Sequence, residues 1–228
     1  MELRGLTALA AALATGCLAS PPGANVSGDA GGDSDGAACA TTTELFDGDA
    51  LGGLWDNPSL YGASSLDVAG GTLAMFASPD AEVVGIVELL GLEEQPLAGS
   101  LLTAELASFN SETGTTGFGW YHAMDDLLIV THVAGAVRSR VVRPGGSDVT
   151  VCAPCASYVD GQPVTAEIRE QDGMIHFAAT VDGEDWDLGS TSGSAEDYRA
   201  YLFVYAPGLT DTAEIAVAEV SWTDCSSL

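Results

Sequence analysis

The stretch "VTAEIREQDGMIHFAATVDGEDWDL", Val164 to Leu188, alternates apolar and polar side chains and is broken twice by Asp-Gly. In its first run Val164, Ala166 and Ile168 share one face, with Thr165, Glu167 and Arg169 on the other. A period of two is that of a half-buried strand, because successive side chains of an extended backbone point to opposite sides. In the second run Ile175, Phe177, Ala179 and Val181 line one face, and Trp186 and Leu188 follow the second turn. Asp172-Gly173 and Asp182-Gly183 stand where a two-residue hairpin needs left-handed backbone. The stretch predicts consecutive antiparallel strands.

The same reading extends in both directions. Strands are predicted over 66–68, 72–76, 82–89, 101–107, 117–122, 127–133, 137–142, 198–205 and 214–222. No run of ordinary helix length carries a 3.6-residue period. Many short strands separated by turns predict an all-β chain, an antiparallel β-sandwich.

The N-terminus follows a different rule. Arg4 precedes an apolar run from Leu6 to Ala14 and small residues up to Cys17. That run is too short to span a bilayer, which takes roughly 20 residues, and reads as a signal peptide over residues 1–16. Leu13, Ala14, Thr15 and Gly16 before Cys17 resemble a bacterial lipobox, with Ala14 in the position that usually holds Leu. The resemblance implies cleavage before Cys17 and lipid attachment to it; ordinary secretory cleavage nearby is the alternative. Two or three acyl chains anchor a protein stably where one is marginal. Residues 17–43, rich in Gly, Ala, Ser and Asp, lack the apolar surface to offset their ordering entropy and read as a tether. The sandwich domain is then expected over 44–228. These features place the protein outside the cytoplasm, lipid-anchored at the cell envelope, on the outer membrane or cell surface.

Charge narrows the partners. The chain has 33 acidic residues against six arginines and no lysine. Loss of Glu2 and Arg4 with the signal leaves 5 − 32 = −27. Self-repulsion on this scale argues against nucleic acid or an anionic lipid surface as partner. Beyond Cys17 four cysteines remain, an even number in an exported chain, which predicts two disulfides. Cys39 precedes the first predicted strand and Cys225 follows the last, so pairing of terminal strands would join these two. Cys152 and Cys155 then close the loop "CAPC". This loop follows a strand end and runs into turn signals, unlike a redox CxxC at a helix N-terminus.

Four pieces together carry a resemblance: "LFDGDALGGLWDNPSLYGASSLDVAGGTLAM", "TGFGWYHAMDDLLIVTHVAGAV", "VDGEDWDLGS" and "AEIAVAEVSW". Their order is similar to that of the concanavalin A-like lectin and glucanase superfamily, which includes laminin G-like modules. The resemblance implies a jelly roll of two packed sheets. Glucanases of this superfamily set acids on one strand as E-x-D-x-E or E-x-D-x-x-E, so that two carboxyls about 5 Å apart flank the glycosidic bond. The chain has one E-x-D, Glu170-Gln171-Asp172, followed by Met174 and Ile175 where the closing Glu would stand. G-x-S-x-G and H-E-x-x-H are absent too. On these grounds the sequence predicts no enzyme, but a noncatalytic carbohydrate-binding or adhesion module. A structural or protein-interaction lipoprotein and a diverged glycoside hydrolase are the alternatives.

A binding module needs an apolar platform and a few polar groups. In "GFGWYH", Phe118 and Trp120 point one way and Gly117, Gly119 and Tyr121 the other, so Tyr121 is the platform residue and Trp120 core. In "YRAYLFVY", Tyr201, Phe203 and Tyr205 share a face opposite Tyr198, Ala200, Leu202 and Val204, which read as core. Arg138 and Arg140 share a strand face and suit an acidic sugar, or cross-strand pairing with Glu167 or its neighbours. Calcium is a candidate cofactor, since superfamily members bind it near their terminal strands. Asp47, Asp49 and Asp224 are the expected ligands, with Asp125 and Asp126 a second acidic doublet. Polysaccharide and envelope protein are the candidate partners.

Overall fold

A computed structural model describes residues 39–80, 83–110, 114–146, 148–208 and 212–224. In chain order the strands are β1 (Ala40–Glu44), β2 (Ser59–Tyr61), β3 (Ser65–Val68), β4 (Leu73–Ala77), β5 (Gly85–Leu90) and β6 (Gln95–Pro96). Next come β7 (Leu101–Asn110), β8 (Thr115–Ala123), β9 (Asp126–Val133), β10 (Ala136–Val142), β11 (Val149–Thr150) and β12 (Ala156–Ser157). The chain closes with β13 (Val164–Gln171), β14 (Met174–Val181), β15 (Glu184–Ser192), β16 (Asp197–Ala206) and β17 (Ala213–Asp224). Among the described residues there is no helix.

All pairings between these strands are antiparallel, and they make two sheets. One has eight strands in the order β15-β14-β13-β7-β17-β4-β3, with β1 also on β17. The other has nine, in the order β11-β10-β9-β8-β16-β5-β2, with β12 on β10 and β6 on β16. This is an antiparallel β-sandwich, as the alternation predicts, with the two packed sheets of the jelly roll that the resemblance implies.

The Val164–Leu188 stretch forms β13, β14 and most of β15. Asp172 and Gly173 take φ of 54° and 79°, and Asp182 and Gly183 take 51° and 83°. Left-handed backbone at both central residues matches the right-handed twist of the flanking strands. Inward positions alternate as predicted: Val164, Ala166 and Ile168 on β13 and Ile175, Phe177, Ala179 and Val181 on β14 are buried. The second sheet contributes Phe118, Trp120, Leu128, Val130, Tyr198 and Leu202 to the same core. Burying this surface, at roughly 25 cal/mol per Å², drives the two sheets together.

The first strand lies where the sequence reads as tether. Ala40–Glu44 pairs with Val220–Asp224, so ordered backbone starts before residue 44. Its Thr-rich sequence has no apolar alternation, and its support comes from pairing with the long strand β17. Cys39 is disulfide-bonded, and its expected partner Cys225 lies outside the described residues. The neighbouring rung, Ala40 opposite Asp224, is in register. Cys152 and Cys155 are joined to each other, closing the predicted loop. The signal peptide and Cys17 lie outside the described residues.

Candidate functional site: the outward face of the nine-stranded sheet

Alternation fixes which side chains of this sheet turn away from the core. On β16 the core takes Tyr198, Ala200, Leu202 and Val204, which leaves Arg199, Tyr201, Phe203 and Tyr205 outward. On β8 it takes Phe118 and Trp120, which leaves Gly117, Gly119 and Tyr121. On β9 Ile129 and Thr131 are outward, and on β10 Arg138 and Arg140. The registers join these into rungs across the sheet. Leu90, Tyr201, Gly119, Ile129 and Arg140 make one, and Glu88, Phe203, Gly117, Thr131 and Arg138 the next.

A second apolar cluster sits on this face, apart from the core. Ile129, Tyr201 and Phe203 are buried, with Leu90, Tyr121 and Leu127 packed against them. The rings of Tyr201 and Phe203 stack at 5.1 Å and 15°, and Tyr121 tilts against Tyr201 at 5.2 Å. Gly117 makes this possible. A Cβ there would run into the Val130 carbonyl oxygen and approach the Phe203 ring at 3.0 Å, so only glycine lets the ring lie against the strand. Tyr205 and Tyr61 extend the aromatic surface toward the β2 edge and are 37% and 51% exposed.

Glu88 borders the stacked rings. The Tyr201 hydroxyl donates to Glu88 Oε1 at 2.6 Å. Burial, then the bond to Glu88, pushes the Tyr201 hydroxyl far above its ordinary range, so it remains a donor and orients the carboxylate. Sequence reasoning overlooked Glu88. Its signal was present in the alternation Ile86, Glu88, Leu90 against Val87 and Leu89, but nothing local says that this face meets the one carrying Tyr201.

The arginines have other partners than those expected. Glu167 lies on the other sheet and pairs with Arg169 at 2.7 Å. Arg140 donates from both Nε and Nη2 to Asp148. Arg199 donates to the Gly91 carbonyl at 2.5 Å and to Asp56 at 3.1 Å, and that hydrogen bond lowers the Asp56 carboxyl. Arg138 has no ion pair among the described residues.

Asp126 of the expected acidic doublet is committed elsewhere. It is buried, accepts from the Tyr198 hydroxyl at 2.8 Å and from Arg143 Nη1 at 3.0 Å, while Arg143 Nη2 donates to the Ser192 carbonyl. Burial lifts the Tyr198 hydroxyl to about 12. Asp47 and Asp49 are exposed in the segment after β1, and the side chain of Asp224 lies outside the described ones. Among the described residues no three His, Cys, Asp or Glu side chains gather as metal ligands. Of the remaining rings the sequence offers, Trp55, Trp120 and Tyr158 belong to the core, with Trp186 half-buried at its edge.

No protein-family model and no curated protein matches the chain. Solved structures do. A prokaryotic β-1,3-1,4-glucanase (lichenase) from a mouse hindgut metagenome aligns with TM-score 0.60 and 12% identity, over 81% of this chain and 98% of that one. The β-glucanase of Bacillus licheniformis aligns with TM-score 0.59 and 12% identity, over 80% and 97%. An immunostimulatory antigen and pseudo β-1,3-glucanase of Mycobacterium tuberculosis aligns with TM-score 0.59 and 14% identity, over 80% and 98%. These likenesses establish a jelly-roll fold shared with β-glucanases over nearly their whole length. They also correct the expectation that the chain is no enzyme. That expectation rested on a missing short motif, whereas the whole sandwich is one that glycan-cleaving proteins use.

Proposed function

We propose that this chain is a diverged glycoside hydrolase of the cell envelope, anchored through Cys17 and holding polysaccharide on the outward face of its nine-stranded sheet. The observation that carries the reading is the stacked group of Tyr121, Tyr201 and Phe203 with Glu88 hydrogen-bonded at its border, on a glucanase-type sandwich. The buried Tyr201 and Phe203 rings support the half-buried Tyr121, and Tyr121 and the exposed Tyr205 offer faces that suit the apolar faces of sugar rings, while the Tyr201 bond sets the direction of the Glu88 carboxylate.

Glycosidases flank the scissile bond with two carboxyls, one donating a proton and one attacking or activating water. At Gly117 and Gly119, outward on the middle strand, the facing carbonyl oxygens of Val130 and Leu128 exclude any side chain. Glu88 therefore takes the acid–base role in this reading, and turnover is expected to be slow. Release of reducing ends from lichenan and laminarin tests it. Glu88→Gln is expected to lower release at least about a hundredfold, the usual contribution of one acid–base group, with polymer retention preserved. Release unchanged by the substitution would contradict the role given to Glu88. For the anchor, labelled palmitate should enter the wild type and fail to enter Cys17→Ser.

A further inference from the structure

We propose that this face selects a largely neutral polysaccharide carrying isolated carboxylates, and that Arg138 reads the carboxylate. The inference rests on the glycan reading above and names its substrate class.

In a chain with 33 acidic residues, a guanidinium has a wide choice of partners. Arg140, Arg143, Arg169 and Arg199 each hold an acid. Arg138 holds none among the described residues, and its Nε is buried without a hydrogen-bond partner. Directly across the β9–β10 ladder stands Thr131, fully buried, whose Oγ1 also lacks a partner. An unmet buried polar group is costly. Nε and the Thr131 hydroxyl are themselves shut off from solvent, so the demand for a ligand falls on the outer part of the half-buried Arg138 side chain, which no acid among the described residues holds.

The rung places that demand beside the aromatic group. Glu88, Phe203, Gly117, Thr131 and Arg138 follow one another across five strands. At about 4.8 Å per strand, Arg138 stands roughly 14 Å from Phe203. Ring stacking and acid recognition therefore fall on different sugars of one glycan. A guanidinium fork donates two parallel hydrogen bonds to a carboxylate, a geometry that a neutral hydroxyl does not match.

Charge sets the density of acid groups. One uncommitted guanidinium in a chain of net charge −27 meets a single carboxylate favourably, while a uniformly charged polymer is repelled by the whole molecule.

The test is affinity electrophoresis of the full chain in gels containing gellan, with one glucuronate in four sugars. Carboxyl-reduced gellan, polygalacturonate and neutral lichenan serve as the other polymers. Gellan should retard the protein most, and carboxyl reduction should weaken retention about tenfold, as expected for loss of a charged hydrogen bond. Arg138→Gln should lose gellan retention by the same factor and keep its lichenan retention. Arg140→Gln, whose partner is Asp148, should leave gellan retention within about twofold. Equal retention on gellan and its reduced form, no effect of Arg138→Gln, or tightest retention on polygalacturonate would each overturn this inference while the glycan reading stands. Retention on none of the four polymers would overturn both.

Discussion

Arg143 and Asp126 show what one side chain holds in place. Asp126 begins β9, Arg143 directly follows β10, and Tyr198 lies on β16, so this network ties three strands of one sheet at a corner. Arg143 also donates through Nη2 to the Ser192 carbonyl at the end of β15, in the opposite sheet. Arg143→Ala removes the charge that compensates a carboxylate whose side chain is exposed by only 4%. The expected loss is about 3 kcal/mol of unfolding free energy in urea, because breaking a buried pair leaves an uncompensated charge. A change below about 0.5 kcal/mol would mean that the Tyr198 hydroxyl alone satisfies Asp126. The sequence made Asp126 visible only as an acid beside another acid. Its arginine is 17 positions away and its tyrosine 72, and spacing along the chain carries no trace of such contacts.

At the scale of the element, the hairpins were the most legible part of the chain. Asp-Gly between alternating runs specifies both the turn and the faces of its strands, and β13, β14 and β15 follow from it. Gly173 adopts φ 79° with open space around the position of a Cβ, so Gly173→Ala costs conformation and no packing. About 1 kcal/mol of stability should be lost, read as a lower urea midpoint at unchanged slope. An unchanged midpoint would show that the turn does not need glycine. The turn between β9 and β10 was harder to see, because Ala134 takes φ 49° and alanine announces no such preference. Strand β1 was harder still. Its residues are mostly exposed, so no apolar period marks them, and its existence depends on a partner strand at the other end of the chain.

For the whole molecule, alternation predicted two faces for every strand but not which strands become neighbours. Tyr121 and Tyr201 could be assigned outward faces from their own strands; that β8 and β16 lie side by side, setting those rings together, is a property of the topology. Glu88 enters through the same adjacency, from β5. The sandwich thus brings together from separate strands a group of side chains that no short motif contains, which is why motif absence alone could not decide the function. Two exposed or half-exposed rings test this most directly, since their removal leaves the core intact. Affinity electrophoresis in lichenan should retard the wild type, and Tyr121→Ala and Tyr205→Ala should each weaken retention about three- to tenfold with unchanged folding, from the loss of ring contacts. Retention that neither substitution alters would contradict a glycan site on this face.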